Sequence, residues 1–251
     1  MVWDAHGYDE RFAFVTKHGE TLVARLAPKP GERIIDLGCG TGHLTAEIAA
    51  VASGVEGLDL DDEMLRRARS EHPEIAFRRA DARTFTVSGR VDAVFSNAAL
   101  HWIREPDQQS VLGRVHAALV PGGRFVAEMG GAGNVAALVQ ALTLARAECG
   151  LPPLRGQPWC FPTPAEQAAR LEQAGFRVRS VEHFDRPTAL RTGDTAASWL
   201  AMFGSHLTAD VPTSRRAGFD SAVDRLSAAE LRNSHGHWHA DYVRLRWYAT
   251  A

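Results

Sequence analysis

Cysteine is scarce in these 251 residues. Cys39, Cys149 and Cys160 are too few to form a disulfide framework, and none sits at a zinc-type spacing. Long apolar runs are missing too: nothing approaches the ~20 residues a membrane span needs. Charge of one sign is also lacking, since 28 Lys and Arg face 30 Asp and Glu for a net −2. No clustered basic surface of the kind a nucleic-acid binder carries is present. Arg66-Arg67-Arg69 and Arg78-Arg79 come nearest, and read as the solvated face of a helix and the end of a strand. Met1-Val2-Trp3-Asp4-Ala5-His6 has no basic region followed by an apolar stretch, so no signal peptide is expected. The expectation is a cytoplasmic protein, monomer or homodimer, with no membrane partner, no nucleic-acid partner and no metal.

What is abundant is apolar residue, 45% of the chain. That fills one α/β domain and falls short of two. Asp9 to Leu26 reads as an amphipathic helix that Pro28 and Pro30 end. From there strand and helix alternate: strands at 33–37, 55–58, 75–78, 91–96 and 124–128, helices at 43–51, 61–71 and 108–119, with Pro121-Gly122-Gly123 before the fifth strand. This rhythm predicts a mainly parallel sheet with helices on both faces. Beyond residue 130 come a helix over 134–149, a proline-rich connector, and a helix from N-cap Thr163 with Glu166 placed for a capping box. A strand over 176–184, helix through 194–232 and a last strand over 242–248 complete the reading. Residues 1–30 are expected to form a helix and lid, 31–130 a cofactor core, 131–165 and 190–235 a cap, and 176–185 and 242–248 the closing strands.

Chemistry concentrates after the first strand, in Asp36-Leu37-Gly38-Cys39-Gly40-Thr41-Gly42. Glycines there permit close backbone approach, and a helix N-terminus offers unpaired N–H groups. The spacing is G-x-G-x-G, one residue short of the dinucleotide fingerprint, and no Lys-Ser/Thr follows as a P-loop requires. Cys39 reads as a small filler rather than a nucleophile. Asp59 ends the second strand, 59 − 36 = 23 positions on, where a carboxylate accepts both hydroxyls of a ribose. Asp81, after the third strand, is placed to accept from an adenine amino group. All three lie at the carboxyl ends of strands, where open α/β sheets bind ligands.

Residues 34–42, Val55 to Met64, Asp81-Ala82, Asp92 to Trp102 and Pro121-Gly122-Gly123 together resemble the motifs of class I S-adenosylmethionine-dependent methyltransferases. The resemblance covers residues 30–130 and implies a Rossmann-like seven-stranded, mostly parallel sheet with a small helical cap. It implies S-adenosylmethionine as cofactor, with Gly38 and Gly40 along the methionine portion and Asp36 facing its amino group. Asp59 would hold the ribose, Met64 would lie on the adenine, Asp81 would bind its amino group and Asn97 would sit near the sulfonium. Leu60 and Ala82 fall in the same cofactor set, and Tyr8 would close the site. Trp3-Asp4-Ala5 with Tyr8, and Trp238 to Arg246, look like the branch that contains trans-aconitate methyltransferase.

A sulfonium methyl is already activated, so alignment supplies much of the rate, roughly 7–11 kcal/mol in ideal geometry. If a base is needed, His101 is the candidate, with a pocket wall as the alternative. His6 reaches the cleft if the N-terminal segment folds over it, and Trp102 reads as a wall. Trp159, Phe161, Trp199, Met202 and Phe203 suggest an apolar chamber for a small organic substrate, or plain core packing. His235, His237 and His239 would share one face if extended, as a metal would need; a substrate-contacting loop that brings His237 and Trp238 to the substrate, or an ordinary surface turn, is the expectation. Methyl transfer to an oxygen, nitrogen or carbon of a small molecule is the leading expectation, with O-methylation of a carboxylate or hydroxyl the version that the branch resemblance suggests. A protein that binds the same cofactor without methylating is the alternative.

Overall fold

The computed structural model describes residues 19–154, 156 and 159–251. His6, Tyr8 and most of the expected first helix lie outside the described residues. The helix is seen over 19–26 (α1), where Leu22 and Leu26 are fully buried. It is followed by β1 (Arg33–Leu37), α2 (His43–Ala49), β2 (Gly54–Asp59), α3 (Asp62–Glu71), β3 (Ala76–Arg79), β4 (Val91–Asn97), α4 (Gln108–Ala118) and β5 (Leu119–Gly130). Then come α5 (Ala136–Glu148), α6 (Pro164–Gln173), β6 (Arg177–Asp185), β7 (Thr188–Ala189), α7 (Ala196–Phe203), α8 (Thr213–Leu231), β8 (His239–Ala240) and β9 (Val243–Thr250).

Seven strands form one sheet in the order β3-β2-β1-β4-β5-β9-β6, and the pairs among β1 to β5 are parallel. The strand residues alternate between two cores. Ile34, Ala93, Phe95 and Val126 pack with Leu22, Leu26 and Ile48 of α1 and α2. Ile35, Leu37, Val94 and Phe125 pack with Val111, Leu112 and Val115 of α4 and Leu171 of α6. Two-residue periodicity thus places an apolar layer on each face of the sheet. The order of strands turns back between β1 and β4, and that switch point opens the crevice where doubly wound sheets take ligands.

Helix starts follow local chemistry. Asp61 caps α3, its Oδ1 accepting from the N–H groups of Glu63 and Met64. Thr163 and Glu166 form the expected capping box on α6. Two expectations need correcting. Pro121-Gly122-Gly123 does not precede the fifth strand but lies within β5, whose register slips between the Val91–Leu119 and Ala93–Arg124 pairs. There Gly122 N–H donates to Ala251, and Ala251 N–H donates to Gly123. The helix expected over 194–232 breaks in two, because Gly204 ends α7 and Pro212 precedes α8.

The described residues divide into two compact units. One holds residues through 131, 159–183 and 245–251; the other holds 132–158 and 184–244. In the latter, α5 packs along α8 and the buried Arg146 gathers three segments. Its guanidinium donates to both oxygens of Asp210 and to the carbonyls of Pro152 and Leu207. The start of α5 is completed from far along the chain. Val135 adopts φ 52°, and Ala137 N–H donates to Asp241 Oδ2 at 2.7 Å. Asn134 Oδ1 accepts from Val243 N–H. No described helix is long and apolar enough to cross a membrane.

Candidate functional site

The glycine loop runs from the end of β1 into α2, against the end of β2. Gly38 and Cys39 N–H both donate to the carbonyl of Leu58. Gly38 takes φ 80°, and a Cβ there would stand 2.2 Å from Ala99 Cβ, so only glycine lets the loop lie against the segment following β4. Nothing lies within 4 Å of a Cβ built on Gly40, whose φ is 55°. Among the described residues, the loop is thus unobstructed at Gly40.

Two carboxylates flank it. Asp59 is held by its own turn: Oδ2 accepts from Gly40 N–H at 2.8 Å and Oδ1 from Asp61 N–H at 2.9 Å. Burial nonetheless raises its pKa above the ordinary aspartate value. Asp36, 2% exposed, accepts from the Thr45 hydroxyl at 2.6 Å. Burial pushes its pKa up to about 7, the Thr45 bond opposing and the charge of Asp59 reinforcing the shift. Burial with these two carboxylates also drives the Cys39 thiol well upward, which leaves it inert as a nucleophile. Sequence reasoning missed Thr45, although a Thr one turn into the helix after the loop was the available signal.

The remaining cofactor candidates follow the edge of the sheet. Leu60 is half-exposed beside Asp59, whereas Met64 is buried in α3. Ala82 packs against the main core. Asp81 is held by a cation that the sequence reading did not consider. Arg83 spans both its oxygens at 2.6–3.1 Å and also reaches Asp107 at 3.2 Å, which lowers the Asp81 pKa. Asn97 ends β4, directly before Ala98 with its φ of 54°.

His101 lies in a single turn, Leu100–Trp102, and is buried. Gly130 N–H donates to its Nδ1 at 3.4 Å, and its carbonyl accepts from Cys160 N–H. Around it Trp102 and Phe161 stand at centroid distances of 5.3 and 5.9 Å, and Trp159 stacks on Phe161 at 5.7 Å. The aromatic residues expected in one chamber fall in both units. Trp159 and Phe161 join His101, while Trp199 packs with Phe203 at 5.0 Å and donates its indole N–H to Tyr242 Oη at 2.7 Å.

The histidine run is not extended. Gly236 takes φ 81°, Asn233 Oδ1 accepts from His235 and His237 N–H, and Arg232 bridges to Trp238 with its guanidinium over the indole. This is a turn, so the three histidines do not share a strand face; His237 is exposed and Trp238 is covered by Arg232. Among the described residues no three potential metal ligands gather.

A parallel sheet with its switch point at β1 and β4, and a glycine loop flanked by two carboxylates, lies where doubly wound sheets take their ligands. Residues 34–123 match a family model described as a methyltransferase domain. Over 98% of its length the chain is 33% identical to an uncharacterised methyltransferase of Schizosaccharomyces pombe, covering 97% of that protein. The chain belongs to the class I S-adenosylmethionine-dependent methyltransferases, and S-adenosylmethionine is its cofactor. Within that class it stands near the trans-aconitate branch. It is 29% identical to a trans-aconitate 2-methyltransferase of Rhizobium meliloti over 88% of each chain. The fold is shared with the solved S-adenosylmethionine-dependent methyltransferase of Mesorhizobium loti, at 22% identity, coverage of 92% and 96%, and TM-score 0.54.

Proposed function

We propose that this enzyme methylates a carboxylate oxygen of a small organic acid. When bound, S-adenosylmethionine supplies a methyl group already activated by its sulfonium. The loop at Gly38 and Gly40 would carry the methionine portion, Asp59 the ribose, and Asp81 with Leu60, Met64 and Ala82 the adenine. Asn97 would stand near the reacting end. Asp81 would share its oxygens between the ligand and Arg83.

The observation that carries the reading is the hydrogen bond from Gly130 N–H to His101 Nδ1. An imidazole that accepts at Nδ1 is neutral and bears its proton on Nε2, where it is a donor. With Nδ1 turned to Gly130 N–H, His101 is suited to donate from Nε2 to an anionic acceptor. A carboxylic acid, with a pKa near ~4, arrives ionised at neutral pH and needs no base. An alcohol would need one. The relative named for trans-aconitate supports the same acceptor class.

The test is methyl transfer from labelled S-adenosylmethionine to a panel of small di- and tricarboxylic acids, alcohols and amines, with products identified by mass spectrometry. Base-labile methyl esters are expected, and methylation confined to alcohols or amines would refute the proposal. His101→Gln, which keeps a donor, should retain activity within about tenfold, whereas His101→Leu should lose roughly 10- to 100-fold through one charge-assisted bond.

A further inference from the structure

Asp36 is a carboxylate sealed under the cofactor loop, and among the described residues no Lys or Arg pairs with it. Among those residues its side-chain donor is Thr45, on the first turn of α2. We propose that Thr45 is a positioning residue for the cofactor: its hydroxyl holds the buried Asp36 carboxylate so that it sheds a proton as S-adenosylmethionine binds.

Geometry supplies the reason. The Thr45 hydroxyl bonds Oδ2 from the helix side, which fixes the carboxylate plane and makes Oδ2 the charged, accepting oxygen. Among the described residues, the groups facing Asp36 from its neighbours bring no positive charge. Asp59 on β2 is acidic, and Cys39 in the loop stays a thiol. Ser96 of β4 donates to the carbonyl of Leu37, and Asn97 is neutral. On α2, His43 and Glu47 pair with each other at 3.5 Å on the exposed side. Arg69 of α3 is turned to the carbonyl of Phe77. With its pKa raised to about 7, Asp36 is partly protonated in the free enzyme near neutrality. A ligand that carries an ammonium and a sulfonium favours the ionised form. The Asp36 O–H bond then breaks, its electron pair stays on oxygen, and the proton passes to bulk water. The linkage depends on the cofactor and not on the acceptor, so it can be read with no acceptor present.

The experiment is titration calorimetry of the full chain with S-adenosylmethionine alone, from pH 6 to 8, in buffers of different ionisation enthalpy. Proton release is expected in the parent, with affinity rising with pH across this range; Asp36→Asn should remove the part of both that Asp36 supplies. Thr45→Val should weaken binding at pH 7 by about tenfold or more, the value of one bond to a charged group. Its deficit should shrink from pH 6 to pH 8 as Asp36 ionises without help, and Thr45→Ser should restore the parent. A deficit that is constant with pH would mark Thr45 as a packing residue and overturn the proposal. Release identical in the parent and in Asp36→Asn would overturn it as well. Should Thr45→Val fail to fold, the parent, Thr45→Ser and Asp36→Asn comparison still decides proton release.

Discussion

Replacing Gly38 with alanine should damage the enzyme twice, and a second substitution can separate the two effects. A Cβ at this position meets Ala99 Cβ at 2.2 Å, whereas carbon atoms rest near ~3.5 Å, so about 1.3 Å of separation must be found. The loop is pinned to Leu58 by two backbone bonds and yields little. Overpacking of this kind costs about 1–3 kcal/mol. The φ of 80° adds about 1–2 kcal/mol for any residue with a Cβ. Gly38→Ala should therefore lower stability by about 2–5 kcal/mol and displace the loop from the cofactor. Ala99→Gly removes the atom that is struck and leaves the backbone penalty. The double variant should then recover about 1–3 kcal/mol relative to the sum of the single variants. Urea denaturation of the four proteins, with S-adenosylhomocysteine calorimetry alongside, measures this. A coupling below about 0.5 kcal/mol would mean that the two Cβ positions do not oppose each other, and the account of the loop would fail.

Arg146→Ala should cost about 1–3 kcal/mol in urea, because the Pro152 and Leu207 carbonyls lose their donor together, while the half-exposed Asp210 is taken up by water. Thr163→Ala should remove the capping box and cost about 1 kcal/mol, with Thr163→Ser near the parent. The pKa of Asp36 rises on folding from the ordinary 3.8 to about 7, so between those values the folded chain binds more protons than the unfolded one. Stability of the ligand-free enzyme should then fall as pH rises from about 4 to 7, on the order of 4 kcal/mol from this group, and Asp36→Asn should lack that slope in matched denaturation series.

Most of the sheet was legible because its signals are local. Period-two apolar strands, a capping box at Thr163 and glycines after β1 each declare themselves within a few residues. Asp36, Asp59 and Asp81 could be placed at strand ends for the same reason. What escaped depended on residues distant in sequence. Thr45 gains meaning only once α2 folds its hydroxyl over Asp36, and the engagement of His101 Nδ1 depends on Gly130, 29 residues away. Arg83 is a near neighbour of Asp81, but a basic residue in a loop carries no pattern that says whom it will pair with. The helix over 194–232 was read too long because apolar spacing continued across Gly204 and Pro212, where backbone chemistry overrides it.

The completion of α5 by Asp241 bears on how the chain comes to be folded. Its first turn waits for a carboxylate 104 residues downstream, and Asn134 waits for Val243 across 109. The unit to which they belong is interrupted in sequence by residues 159–183 of the other. On a ribosome, the cofactor loop and β1 to β5 emerge with all their mutual partners, while α5 emerges with its start uncapped. Closing so long a span is costly in entropy and comes late. Refolding should accordingly show two phases, the sheet first and α5 with α8 second, and Asp241→Ala, which removes the acceptor, should slow only the second.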